Sequence, residues 1–255
     1  MISVIEVYNA VRELANKDQK GFVTPKVFND LARVAQENVY REMFTEIVAA
    51  QGLRLRNADA AQGESMMRGV QDDLSDYIIE ANLELSDDLS SEGYANVYKK
   101  PADFCKLISI SVGRQDRFNC ELIYNSAKML DILNSNLSAP TDAYPVALVS
   151  KNFEIFPEDS IGAIINYYRH PASRYPTSVG EFSMGDVDYT SKPRISVAGG
   201  VDEDGFFIPD IIKSRNFDLP KKYFSEVIAE ICKMIGVRLR DATLFEFASG
   251  ETNVK

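Results

Sequence analysis

Apolar residues in the first third of the chain recur at intervals of three and four. Val4, Val7, Tyr8, Val11, Leu14 and Ala15 predict an amphipathic helix over residues 2–16. Thr24 followed by Pro25 supplies an N-cap hydroxyl and a first-turn proline, so a second helix should start there. Its apolar positions (Phe28, Leu31, Ala35, Val39, Met43 and Ile47, with Val27, Val34, Phe44 and Val48 beside them) cover more than one stripe, which implies neighbours on two sides. Gly52 is its expected stop. After a polar break at 53–63, Met67, Val70, Leu74, Tyr77, Ile78 and Ala81 keep helical register and predict a third helix.

From Lys106 the texture changes to alternation, with Leu107, Ile108, Ile110 and Val112. Further short apolar runs at 119–124, 145–150, 152–156 and 162–169 are bounded by Pro, Gly, Asn or Asp. Such punctuation predicts strands of an antiparallel sheet, interrupted by one short helix at "SAKMLDILNSN". Residues 171–218 read as irregular, with a hairpin around "GGVDEDGFFI" where Asp204-Gly205 suits a tight turn. Phe224, Val227, Ile228, Ile231 and Ile235 line a last helix that Gly236 should end. The expectation is an α+β fold. Residues 1–93 and 219–255 would be helical, and 94–218 β-rich with a long irregular loop at 171–215.

Composition narrows what such a fold can do. The 255 residues carry a net charge of −10, which argues against gripping nucleic acid, because phosphate neutralisation needs Lys and Arg. Cys105, Cys120 and Cys232 are an odd, widely spaced set without metal-like spacing, as expected of reduced thiols in a cytosolic setting. The first residues lack a signal pattern and no apolar run approaches the ~20 residues that span a bilayer, so no membrane association is expected.

"NKDQKGFVTPKVFND" (16–30) has the outline of a calcium loop. With Gly21 as the sixth position, Asn16 is first, Asp18 third, Lys20 fifth, Thr24 ninth and Val27 twelfth. Calcium needs oxygen ligands at the fifth and twelfth positions, the last a bidentate Glu. Lys20 and Val27 remove that charge, leaving a helix–turn–helix junction as the favoured reading. "VDEDGFFIPD" offers Asp202, Asp204 and Asp210 but has Lys213 where an acidic ligand would close the site, so a turn is expected there too. His170 is the one histidine and precludes a multi-histidine metal site; its expected part is to end a strand before Pro171. No phosphate-cradling glycine motif occurs. No catalytic or cofactor-binding constellation is expected. The interface candidates are Tyr167 and Tyr168, which must face opposite sides of a strand, and the tail aromatics Phe245 and Phe247.

Four phrases in order resemble neck proteins of tailed phages of the crAss-like and related podovirus type. The first is carried by Asn16, Gln19, Gly21, Phe22, Val23, Thr24, Pro25, Phe28 and Asn29. The others are "KKPADF" (99–104), "FEIFPEDSIGAIINYYRHPA" (153–172) and "NFDLPKKYFSEVIAEICKMIGVRLRD" (216–241). Residues 173–210 match nothing in that group. The resemblance implies a structural virion protein without catalytic residues or cofactor, in which residues 1–93 with 219–255 form one helical bundle and 94–218 a β-rich insert. It implies a ring of twelve copies at the head–tail junction below the portal, with portal and neck or tail proteins as neighbours. Genomic DNA would pass through the lumen without specific binding, and the chain would reside in host cytoplasm before joining the virion. The competing readings are a regulatory or binding module on the degenerate calcium loop and an enzyme built around His170.

Overall fold

The computed structural model describes residues 1–17, 23–55, 71–86, 96–113, 117–158, 162–201 and 207–238. In chain order the elements are α1 (Val4–Lys17), α2 (Pro25–Leu55), β1 (Ile78–Asn82), β2 (Val97–Tyr98), β3 (Phe104–Val112), β4 (Phe118–Asn119) and β5 (Glu121–Ile123). Then come α3 (Ser126–Leu133), β6 (Val146–Val149), β7 (Phe153–Phe156), β8 (Ile164–Arg169), β9 (Ser173–Arg174), β10 (Val187–Asp188), β11 (Val197–Val201), β12 (Phe207–Pro209), β13 (Asn216–Phe217) and α4 (Phe224–Arg238). The class is α+β, with helices towards both ends of the sequence and a β-rich middle. Among the described residues no helix is long and apolar enough to cross a membrane.

The chain divides into two compact units, Met1–Asp73 with Pro171–Lys255, and Leu74–His170. This corrects the boundaries drawn from sequence. Residues 171–218 belong with the helices, and the stretch from Leu74 belongs with the strands.

In the helical unit, α1 buries Val4, Val7, Tyr8, Val11 and Ala15. The α2 cap is as expected: Thr24 O accepts from Phe28 N at 2.9 Å and Thr24 Oγ1 from Val27 N at 3.4 Å. Phe28, Leu31, Ala35, Val39 and Met43 of α2 are buried as the sequence foretold, with Ala32 and Tyr40 beside them, whereas Val34 of the expected wider face is exposed. Tyr8 meets Phe28 edge-on with ring centroids 5.1 Å apart, fixing α1 to α2. Val227, Ile231, Cys232 and Ile235 bury the inner face of α4, and Asn38 Nδ2 donates to Glu230 Oε1 at 2.7 Å between α2 and α4. Neither Gly52 nor Gly236 stops its helix, since α2 runs to Leu55 and α4 to Arg238. A helical glycine costs only about 1 kcal/mol, too little to end a helix by itself.

The same unit contains the three-stranded sheet β10-β9-β13 and the two-stranded sheet β11-β12. The segment expected to be irregular is thus partly strand. Antiparallel pairing of β11 with β12 matches the predicted hairpin; its Asp204-Gly205 turn lies outside the described residues.

The other unit stacks two four-stranded sheets, β1-β8-β3-β4 and β2-β7-β6-β5. They share one core, in which Ile110, Ile165 and Tyr167 from the first meet Ala147, Phe153 and Ile155 from the second. The expected third helix is helical at 71–75 but gives way to β1 from Ile78, paired antiparallel with β8; its residues before 71 lie outside the described residues. Leu74, Ile78 and Ala81 fit a helical period, but Ile79 and Ala81 also alternate with Ile78, Glu80 and Asn82. The edge of β8 settles the choice by offering a ladder. The β5–β6 pair is parallel rather than antiparallel, because α3 lies in the connection that brings the chain back to the same end. Asn125 caps α3, accepting from Ala127 N at 2.9 Å, and Met129 seals it over Ile123, Val146 and Leu148.

Candidate interaction surface

Asn29 and Gln36 stand on one face of α2, two helical turns apart at the ~7-residue repeat. Both present a carboxamide, the side-chain group that imitates a peptide bond. Asn29 Nδ2 donates to Ile195 O at 3.0 Å, and Ile195 N donates back to Asn29 Oδ1 at 2.7 Å. Gln36 Nε2 donates to Ala172 O at 2.7 Å, while Asp218 N donates to Gln36 Oε1 at 2.8 Å. The helix therefore holds the 171–218 segment by its backbone at three places along the chain.

Two ion pairs stiffen that segment from within. Asp218, fully buried, accepts from Arg174 Nε at 2.7 Å and from Ala172 N at 3.1 Å. Asp188 accepts from Arg215 Nε at 2.7 Å, Thr190 Oγ1 at 2.6 Å and Ser191 Oγ at 2.8 Å. Burial pushes the Asp188 carboxyl up, but the hydrogen bonds from Thr190, Arg215 and Ser191 together outweigh it and hold the group down at about 2. Arg215 also lies 4.3 Å from the Tyr175 ring centroid. Asn216 Oδ1 accepts from Val4 N at 3.0 Å, tying β13 to the start of α1.

From this anchored base rises the β11/β12 hairpin. Arg194 and Arg215 exchange backbone hydrogen bonds of 3.0 and 2.8 Å, and Ser196 N donates to Ser214 Oγ at 3.0 Å. Asp210, one of the suspected cation ligands, instead organises a turn, accepting from Ile212 N at 3.1 Å and Lys213 N at 3.2 Å. Above the base the side chains are apolar and exposed: Val197, Phe207, Ile208 (44% exposed), Ile211 and Ile212 (59%). Gly199 takes φ +84°, where a Cβ would meet nothing within 4 Å, so the backbone conformation rather than crowding calls for glycine. Firm anchoring below and open apolar surface above are the features of a docking element.

The sandwich unit carries the tyrosine pair. Tyr167 is buried (3% exposed) against Phe104 and donates to Asp103 Oδ1 at 2.8 Å, so it is a core residue and no interface anchor. Tyr168 points to the other face of β8, in the row Ile78–Tyr168–Lys106, and Ile78 and Ile108 are exposed on this unit's surface. A cleft of about 560 Å³ opens between α3 and the 137–146 stretch, with Tyr144 and Leu137 exposed beside Lys128 and Glu121. Phe245 and Phe247 lie outside the described residues.

The remaining sequence candidates do not assemble into a chemical centre. His170 ends β8 as expected, its backbone N donating to Asp103 O at 2.8 Å. Val27 sits in the first turn of α2, where an apolar side chain replaces the closing calcium ligand; residues 18–22 of that loop lie outside the described residues. Among the described residues no group of three or more His, Cys, Asp or Glu is placed to hold a metal. None of the three cysteines forms a disulfide, and burial pushes Cys120 up to about 12 and Cys232 to about 11.

Comparison with known proteins finds no matching family model and no matching curated relative. The carboxamide clasp was missed in the sequence because Asn29 and Gln36 read as ordinary polar positions. Their spacing of two turns on the buried side of α2, beside Leu31 and Ala35, was the available signal.

Proposed function

We propose that the chain is a structural virion protein that forms an oligomeric ring at a phage head–tail junction, below the portal. The observation that carries this reading is the apolar β11/β12 hairpin, anchored through Asn29 and Gln36 to α2 but left exposed among the described residues. Exposed apolar side chains on a rigid base suit a subunit whose task is assembly.

The four-phrase resemblance supplies the location, and the clasp gives its first phrase a physical use: Asn29, the last residue of that phrase, is the one that holds Ile195. A ring of twelve copies, with the portal above and neck or tail proteins below, is the assembly proposed. DNA would pass through the lumen, where a net charge of −10 repels phosphate rather than holding it. No catalytic step is assigned to the chain. Negative-stain microscopy of the purified protein mixed with its portal tests this: annular particles coaxial with the portal are expected, and free monomers beside bare portals would overturn it.

A further inference from the structure

The cleft of about 560 Å³ beside α3 lies wholly within the sandwich unit. One wall is α3, held down by the buried Met129. The other is the connection from α3 to β6, whose path is fixed by local bonds. Ser135 Oγ accepts from Leu137 N at 3.3 Å and from Ser138 N at 3.1 Å, and Thr141 and Tyr144 exchange backbone hydrogen bonds of 3.3 and 3.0 Å. Pro145 O then accepts from Glu121 N at 2.9 Å, joining this wall to β5. The turn at 141–144 thus presents Tyr144, 80% exposed, at the edge of the cleft on a backbone that is already ordered.

The lining mixes an apolar part, with Ile132 and Val146, and polar side chains of every kind. The Asn119 carboxamide donates and accepts, Glu121 accepts, Lys128 donates, and the Thr141 hydroxyl does either. Lys128 Nζ stands 3.7 Å from Glu121 Oε1, too far for a hydrogen bond. Their charges balance while their donors and acceptors stay open to a ligand. An anionic ligand would need a surplus of cations, which Glu121 removes. A wholly apolar one would strip water from these polar groups and leave them unpaired. A pyranose meets both demands, because its hydroxyls donate and accept in turn. The C–H bonds on one of its faces are weakly positive and suit the electron-rich face of an aromatic ring. The volume falls in the range of small-ligand sites and holds about two such rings.

We propose that this cleft is a binding site for a neutral saccharide. The Tyr144 ring stacks on the C–H face of one pyranose, and Asn119, Glu121, Lys128 and Thr141 bond hydroxyls of the sugar within the cleft. Stacking supplies most of the affinity, and the fixed polar groups select the arrangement of hydroxyls. The site stands whether or not the chain forms a ring, since every residue of it comes from one copy.

The test is saturation-transfer NMR of the full-length chain with maltotriose, cellotriose, mannotriose and tri-N-acetylchitotriose, and with sialyllactose as the charged comparison. At least one neutral trisaccharide is expected to bind with a Kd below about 1 mM, with the C–H protons of one sugar face saturated most. Tyr144→Ala should weaken binding at least tenfold, whereas Tyr144→Phe, which keeps the ring, should retain it. Tyr124→Ala, at a tyrosine 69% exposed but outside the cleft, should leave binding unchanged. Circular dichroism first checks that each variant keeps the wild-type fold. The proposal is overturned if no neutral trisaccharide binds, if sialyllactose alone binds, or if Tyr144→Ala binds like wild type. An equal loss in the Tyr124 variant overturns it too, since any exposed ring would then serve. Sedimentation velocity on the same variants separates this site from the ring: Tyr144→Ala should associate as wild type does. Lost association there would make the cleft a contact between copies, overturning the saccharide site and leaving the ring standing.

Discussion

Gln36 accepts the backbone proton of Asp218 at 2.8 Å and donates to Ala172 O at 2.7 Å, so one helical side chain clamps both ends of the 171–218 segment. Gln36 is 1% exposed, and removing its carboxamide leaves two buried backbone groups unpaired. Gln36→Leu should destabilise the chain by about 3 kcal/mol in urea denaturation. Asn29→Ala, at a half-buried position, should cost about 1–2 kcal/mol.

Asp188 gives the fold an acid limit. Its carboxyl is held down at about 2 in the folded chain, against ~3.9 when unfolded. A depressed carboxylate contributes its full stability above the unfolded value and loses it as pH falls through the folded one. Unfolding free energy should therefore drop by about 2 kcal/mol between pH 4 and pH 2 on this account, and Asp188→Asn should flatten the profile across that window. An unchanged acid slope in the Asp188→Asn variant would remove Asp188 from the explanation.

The thiols should separate by burial. Cys120 and Cys232 are buried with thiols pushed up to about 12 and 11, whereas Cys105 is half-buried. A maleimide or disulfide reagent at pH 8 should label Cys105 first and leave the other two until denaturant is added. Peptide mapping after timed quenching reads the order.

Tyr167 and Tyr168 should behave oppositely. Tyr167→Ala empties a core position packed against Phe104 and should cost about 3 kcal/mol or more. Tyr168→Ala, on the outer side of β8, should cost less than about 1 kcal/mol in the monomer. If that face also meets a neighbour, as the ring reading proposes, sedimentation velocity should show weaker association for the Tyr168 variant.

The helices were legible because their buried residues repeat at three and four, and the Thr24-Pro25 start was legible because capping is local chemistry. The strand at Ile78–Asn82 was misread because Leu74, Ile78 and Ala81 satisfy the helical period while Ile79 and Ala81 satisfy the strand period, and only the neighbouring β8 decides between them. The parallel pairing of β5 with β6 was hidden for a related reason, since a connection's length does not announce where it returns. Side chains that bond to distant backbone, as Asn29 does to Ile195, leave no mark on periodicity. The hairpin was foreseen, but the apolar exposure beside it was not, because Ile211 and Ile212 fell in a segment read only as irregular and the fold alone leaves them uncovered.

Electron cryo-microscopy of the purified chain assembled with its portal tests the central claim most directly. A closed ring of twelve copies on the portal axis is predicted, with each β11/β12 hairpin covered by density from the adjacent copy. Particles in which the chain is absent from the portal axis, or bound there as single copies, would contradict the account.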